Sequence, residues 1–177
     1  TYGRAMEHPY GYIKDKKVYL RGFLGQEDRI IGEVKEDEAS TLKYFEDRFE
    51  QLKDKVEKLK SDIEENQNKG SFLMKLIHLR ESLMQSDALG DFEPLINELS
   101  KEEEYLNEII QVNRTKNLEV KKALILEAEE KKDDTDWKET TEFYKELKLR
   151  WIKTGPVDKE NQEEIETTFN DIVQHFF

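Results

Sequence analysis

The 177-residue chain contains no cysteine. Disulfides and thiolate metal sites are thereby excluded, and a reducing cytoplasm is the expected compartment. Proline and glycine are sparse, at 3 and 8 residues, and several of them punctuate the segments read below. Hydrophobic residues are 36% of the chain against 40% charged. That balance is lean for a deep globular core and suits long helices that bury a narrow stripe and solvate the rest. No apolar run approaches the roughly 18 residues that span a bilayer, and no signal-peptide pattern opens the chain, so no membrane contact is expected. Positive charge is also short. With a formal net charge of -12, whole-surface attraction to nucleic acid or anionic lipid is excluded, which leaves a local basic patch as the remaining route to a polyanion. Because the chain opens on Thr1 without a methionine and stops on Phe176-Phe177, it reads as a piece of a longer protein.

What is present begins with β-prone runs over residues 10–14, 17–24 and 29–34, separated by Asp15-Lys16 and by Gly25-Gln26-Glu27-Asp28. They predict a small antiparallel three-stranded sheet within a 1–36 segment. A two-residue turn at Asp15-Lys16 sets Lys14 against Lys17, Tyr12 against Tyr19 and Tyr10 against Arg21. Alternation then yields two faces. One holds Ile13, Val18, Leu20 and Leu24, with Ile30 and Val34 joining if the second loop has an odd number of residues. The other holds Tyr12, Lys14, Lys17, Tyr19, Arg21 and Phe23. The apolar face needs a helix to cover it.

That helix follows. Leu42, Phe45, Phe49, Leu52, Val56, Leu59 and Ile63 alternate steps of three and four within residues 37–66, a heptad seam of coiled-coil type. The short connection ending in Lys69-Gly70 favours an antiparallel hairpin with a second helix capped by Ser71 over a homodimer through the 42–63 seam. Gly90-Asp91 and Pro94 introduce a third helix, marked by Phe92, Leu95, Leu99, Leu106 and Ile109, with a solvated middle at residues 100–104. The hairpin and third helix form a 37–112 segment. A fourth helix is expected after residues 113–117, central because Ala123-Leu124-Ile125-Leu126 is apolar on nearly every side. After a loop at residues 133–136, Asp136 and Glu139 have capping-box spacing ahead of a helix carrying Trp137, Tyr144, Leu147 and Trp151. Gly155, in a left-handed conformation, and Pro156 end it, and Asp158 caps a last helix with Ile165, Phe169, Ile172 and Phe176. The 113–177 segment is thus a three-helix unit, and the fold class is mainly α.

The series Trp137, Tyr144, Leu147, Trp151, Gly155-Pro156-Val157, Phe169 and Phe176-Phe177 resembles the repeat of the bacterial domain-of-unknown-function family 349. Tyr10-Gly11, Val18 to Arg21, Ile31-Gly32, Tyr44-Phe45, Arg48-Phe49 and Leu89-Gly90-Asp91 resemble the region that precedes it. The resemblance implies bacterial origin and a helical protein whose unit recurs in tandem. One copy is present here, and no catalytic residues follow from the family.

Chemistry is thinly represented. His8, His78 and His175 have no carboxylate at ligand spacing, so no metal or other cofactor is expected. Paired acids such as Glu64-Glu65, Glu102-Glu103-Glu104 and Glu163-Glu164 read as solvated helix faces. Gly22 and Gly25 sit beside strands and turns and do not form a phosphate-cradling loop. Trp137 and Trp151 read as packing anchors. An enzyme is therefore not expected. The face of Tyr12, Lys14, Lys17, Tyr19, Arg21 and Phe23 pairs aromatic rings with cations, as surfaces that bind single-stranded nucleic acid do, and a further cluster, Arg114, Lys116, Lys121 and Lys122, could extend it. Two functions follow. One is a non-enzymatic helical scaffold that holds protein partners. The other is an RNA- or ribosome-associated factor that uses this face.

Overall fold

The computed structural model describes residues 6–134 and 136–177. Thr1 and Thr135, the latter within the expected 133–136 loop, lie outside the described residues. The chain divides into two compact units, one ending at Asn107 and the other running Glu108–Phe177.

In the first unit, the described residues form a four-stranded antiparallel sheet in the order β1 (Met6–His8), β2 (Gly11–Lys14), β3 (Lys17–Leu20) and β4 (Arg29–Glu33). The expected three strands are corrected to four. β1 was missed because three residues are too few to display a period of two. Its turn is closed locally, with the Tyr10 N–H donating to His8 Nδ1 at 3.0 Å. The β2–β3 hairpin turns on Asp15 and Lys16, both left-handed at φ 52 and 62, the geometry that matches strand twist in a two-residue loop. Lys14 faces Lys17 and Tyr12 faces Tyr19, while the Arg21 N–H donates to the Tyr10 carbonyl at 2.9 Å.

Between β3 and β4 the loop spans residues 21–28, an even number, because Leu20 pairs with Arg29. This places Ile30 beside Tyr19 and leaves it 49% exposed. A bulge opposite Val18 and Tyr19 then lets Ile31 enter the core with Ile13, Val18 and Leu20. Leu24, expected inside, sits in the loop at φ 50 and is 46% exposed; Val34 is half-buried against the core.

α1 (Glu38–Glu65) starts where Asp37 accepts the Ser40 N–H at 2.7 Å and ends at Asn66. Its seam is spent inside the unit. Leu42, Phe45, Phe49, Val56, Leu59 and Ile63 share one core cluster with the sheet, with Leu76 and Leu83 of α2 (Leu73–Leu83), and with Leu95, Leu99 and Leu106 of α3 (Phe92–Lys131). At Gly32 a methyl group would lie 2.4 Å from the Phe45 ring, so β4 approaches α1 closely enough to exclude a side chain. Ser71 does not cap α2. It lies in a 3₁₀ turn, Lys69–Phe72, where its hydroxyl donates to the Asn68 carbonyl at 2.7 Å.

The expected third and fourth helices are one 40-residue helix, α3, and residues 113–117 are interior to it. That polar stretch holds no glycine or proline, and nothing in it forces a break. The acidic section over 100–104 stays helical, and Arg80 takes Glu103 in a two-point pair at 3.0 and 3.1 Å.

The second unit combines the later part of α3 with α4 (Trp137–Lys153) and α5 (Lys159–Phe176) around Leu124, Ala128, Tyr144, Leu147, Trp151, Ile165 and Phe169. Three expectations change here. Leu126 is exposed, so α3 is buried on one stripe and not all round. Trp137 is 66% exposed at the start of α4, where it stacks on Phe176, and is no core anchor. Gly155 is not left-handed; a methyl there would fall 2.7 Å from Asn117 Nδ2, which donates to the Pro156 carbonyl at 2.8 Å. The helix stops because Thr154 is extended and Pro156 has no N–H to give. Asp136 accepts the Glu139 N–H at 3.3 Å as the capping pattern requires, whereas the Asp158 carboxylate accepts from the Asn161 side chain at 2.7 Å and caps no backbone N–H.

Candidate functional site

The sheet has one face in the core and one outside it. On the outer face the register lines up Glu7, Tyr12, Tyr19 and Ile30 across the four strands. Tyr12 and Tyr19 stack with centroids 4.9 Å apart and planes within 11°. The Arg21 guanidinium lies 5.1 Å over the Tyr12 ring and is ion-paired with Glu7. A ring that already has an aromatic and a cation against it has little free π-surface for a nucleobase. The charge of Arg21 is also matched before any phosphate arrives.

Asp28 holds this face to the β3–β4 loop. Its carboxylate accepts the Gly22 N–H at 2.7 Å and the Tyr12 hydroxyl at 2.8 Å. These bonds favour the ionised form. The Gly22 amide and then the Tyr12 hydroxyl depress the Asp28 pKa, while the bond to Asp28 raises that of Tyr12. A carboxyl depressed by folding contributes stability that is present above its unfolded pKa of about 3.9 and is lost as pH falls through the lower folded value. The expected outcome is therefore local. Below that range the Gly22 amide loses hydrogen-exchange protection, and Asp28→Ala removes the acid dependence; a Gly22 profile unchanged from pH 6 to acid would refute the link.

Lys14 and Lys17 lie opposite one another at the hairpin tip, both exposed, with Lys16 between them. None of these three makes an ion pair among the described residues. Lys35 is brought to the same end because the Val34 N–H donates to the Lys16 carbonyl at 2.8 Å. Sequence reading missed Lys16, because a turn residue has no strand face. It missed Ile30 because the loop count was open.

Phe23 does not join the face. It stacks on Phe92 at 5.3 Å and packs against the first core. The site that the fold assembles is thus Tyr12, Tyr19, Arg21 and Ile30, with Lys14 and Lys17 at its rim. In the other unit Lys121 is buried, 3.4 Å from Glu166 and 4.9 Å over the Trp151 ring, so it adds nothing to an exposed basic cluster with Arg114 and Lys116.

Residues 91–160 match the model of a family described as Domain of Unknown Function (DUF349). The resemblance read from Trp137, Tyr144, Trp151 and Gly155-Pro156-Val157 is shown over those residues. The match starts at the beginning of α3 and ends early in α5, before Phe169 and Phe176-Phe177. The motifs quoted from before Asp91 fall outside it. No curated protein and no solved structure matches the chain at a significant level.

Proposed function

We propose that the chain is a non-enzymatic interaction module that docks a protein partner on the outer face of its sheet. The observation that carries this reading is the row Tyr12, Tyr19 and Ile30. It is an aromatic and aliphatic strip, half-buried at the two tyrosines and exposed at Ile30, on a sheet whose opposite face is used by the core. Contiguous apolar surface of this kind marks interaction sites, and tyrosines supply large contact area with little loss of side-chain freedom. The lysines at the hairpin tip form a charged rim that steers an acidic neighbour into register. Helices α1 to α3 share one core cluster with the inner face of the sheet.

One observation favours RNA or the ribosome as the partner instead. Lys14, Lys16 and Lys17 are exposed and make no ion pair among the described residues. The chain's formal net charge of -12 and the mutual stacking of the tyrosines weigh against it.

Affinity capture from a cell lysate, with and without ribonuclease, separates the two. The expected result is a protein set that survives ribonuclease and falls about tenfold or more with Tyr19→Ser/Ile30→Ser, a loss equivalent to one strong contact residue. Circular dichroism should show that variant to be folded. Capture that ribonuclease abolishes, or that Lys14→Glu/Lys16→Glu/Lys17→Glu abolishes while Tyr19→Ser/Ile30→Ser leaves it intact, replaces the protein reading with the RNA one.

A further inference from the structure

A groove of about 780 Å³ lies on a different side of the first unit, between the β1–β2 turn, α1 and the start of α3. Its apolar lining is Pro9, Tyr10 and Pro94, which are exposed, over Phe49, Leu89 and Leu95, which belong to the core. Its rim is acidic. Glu46, Asp47, Glu50, Asp91 and Glu98 line it against Lys53 as the one lysine. Some of this charge is already matched: Glu46 meets His8 at 2.9 Å, Asp47 meets Lys43 at 3.4 Å and Glu98 meets Lys60 at 3.6 Å. Glu50 and Asp91 face the groove from two different elements and make no ion pair among the described residues.

From this pairing of exposed apolar lining with a rim on which Glu50 and Asp91 are unmatched, we infer that the groove docks a lysine- or arginine-rich amphipathic segment of a protein partner. The apolar side chains of that segment lie on Pro9, Tyr10 and Pro94, and its cations meet Glu50 and Asp91. Charge complementarity selects this occupant. An acidic or neutral segment would cover the same apolar lining while leaving two carboxylates against it without partners, which costs free energy. The surface differs from the sheet strip in both place and charge, so it stands whether or not the strip binds a protein.

The test is fluorescence anisotropy on the intact chain with a labelled peptide that has leucines at helical spacing and lysines elsewhere. Saturable binding is expected, weakening about tenfold or more between about 50 and about 300 mM salt. Glu50→Lys/Asp91→Lys should weaken it at least about tenfold. Glu163→Lys/Glu164→Lys makes the same change of charge on α5, on residues that do not line the groove, and should leave it within about twofold. The inference is overturned if both double variants lose binding equally. It is also overturned if a peptide with glycine in place of leucine binds as well, because an acidic chain then merely attracts a polycation. Light scattering of the chain alone covers the remaining occupant: an oligomer that disperses in Glu50→Lys/Asp91→Lys would show that the groove takes a second copy instead. A failed sheet-strip capture with intact peptide binding would sink only the proposed function.

Discussion

Trp151→Ala is expected to unfold the Glu108–Phe177 unit while the sheet and α1 of the first unit stay folded. Trp151 is buried, and its ring lies parallel to Phe169 at 4.0 Å and 4°. Its indole N–H donates to Glu166 Oε1 at 3.0 Å, and the same oxygen lies 3.4 Å from Lys121 Nζ. Alanine removes the stacking partner, opens a cavity between α4 and α5, and leaves a buried lysine without the ring beneath it. Truncating a buried aromatic costs about 3–5 kcal/mol, and a small unit has only about 0.05–0.15 kcal/mol per residue to lose. The loss therefore approaches the unit's whole stability. Hydrogen exchange by mass spectrometry should show lost protection across α4, α5 and the later part of α3, with β2, β3 and α1 unchanged. Equal loss in both units would mean that they fold as one cooperative body. Trp137→Ala supplies the contrast. Trp137 is mostly exposed, with one stacked neighbour, and its loss should cost about 1 kcal/mol.

The two tryptophans show how far the sequence could be read. Residues 137, 144 and 151 repeat at seven, a spacing that says they share a helix face. It does not say how far along the helix the core extends. The core ends before Trp137, because α4 begins there and Phe176 is its one ring partner among the described residues. Similar reasoning explains the hairpin. Asp15-Lys16 has one plausible turn length, so the register from Lys14 to Tyr19 was legible, whereas the 21–28 loop has no turn signature that fixes its count. One residue there decides whether Ile30 or Ile31 enters the core. The bulge that seats Ile31 has no local signal at all. The junction inside α3 was misread for a related reason: asparagines and charges lower helix propensity without ending a helix. The seam of α1 was fully legible, since seven apolar positions at steps of three and four admit no other regular structure.

Among the candidate site residues, alternation placed Tyr12, Tyr19 and Arg21 on one face, and the structure keeps them there. It could not show that Glu7 neutralises Arg21 or that Asp28 holds Tyr12. Both partners come from segments whose strand or loop geometry was open in the sequence. The acidic groove was invisible for a stronger reason. Its walls are residues 8–10, 46–53 and 89–98, and only the packed fold brings them together. The match to a family model of unknown function supplies no chemistry for either surface, and it covers only residues 91–98 of these wall segments.

The second large effect is expected at Phe92, the first residue of α3. Its ring is fully buried, stacked on Phe23 at 5.3 Å and 8°, and set edge-on to Phe49 at 5.1 Å and 82°. One side chain thus joins the loop after β3, the middle of α1 and the start of α3. Phe92→Ala should cost about 3–5 kcal/mol by the lost transfer and the cavity left behind, lowering the first unit's denaturation midpoint while the second unit's is unchanged. Phe92→Leu, which keeps most of the volume, should cost clearly less. The partner ring decides a functional question as well. Phe23 alternates in sequence with Tyr19 and Arg21, yet it faces the core. Phe23→Ala should therefore lower stability and leave partner capture by the folded protein unchanged. In a double-mutant cycle, Phe23 and Phe92 should couple by about 0.5–1.5 kcal/mol, the value for a stacked aromatic pair. A coupling near zero, with capture lost in the folded Phe23→Ala protein, would return Phe23 to the binding surface. The strip would then extend from Ile30 past Arg21 toward the start of α3.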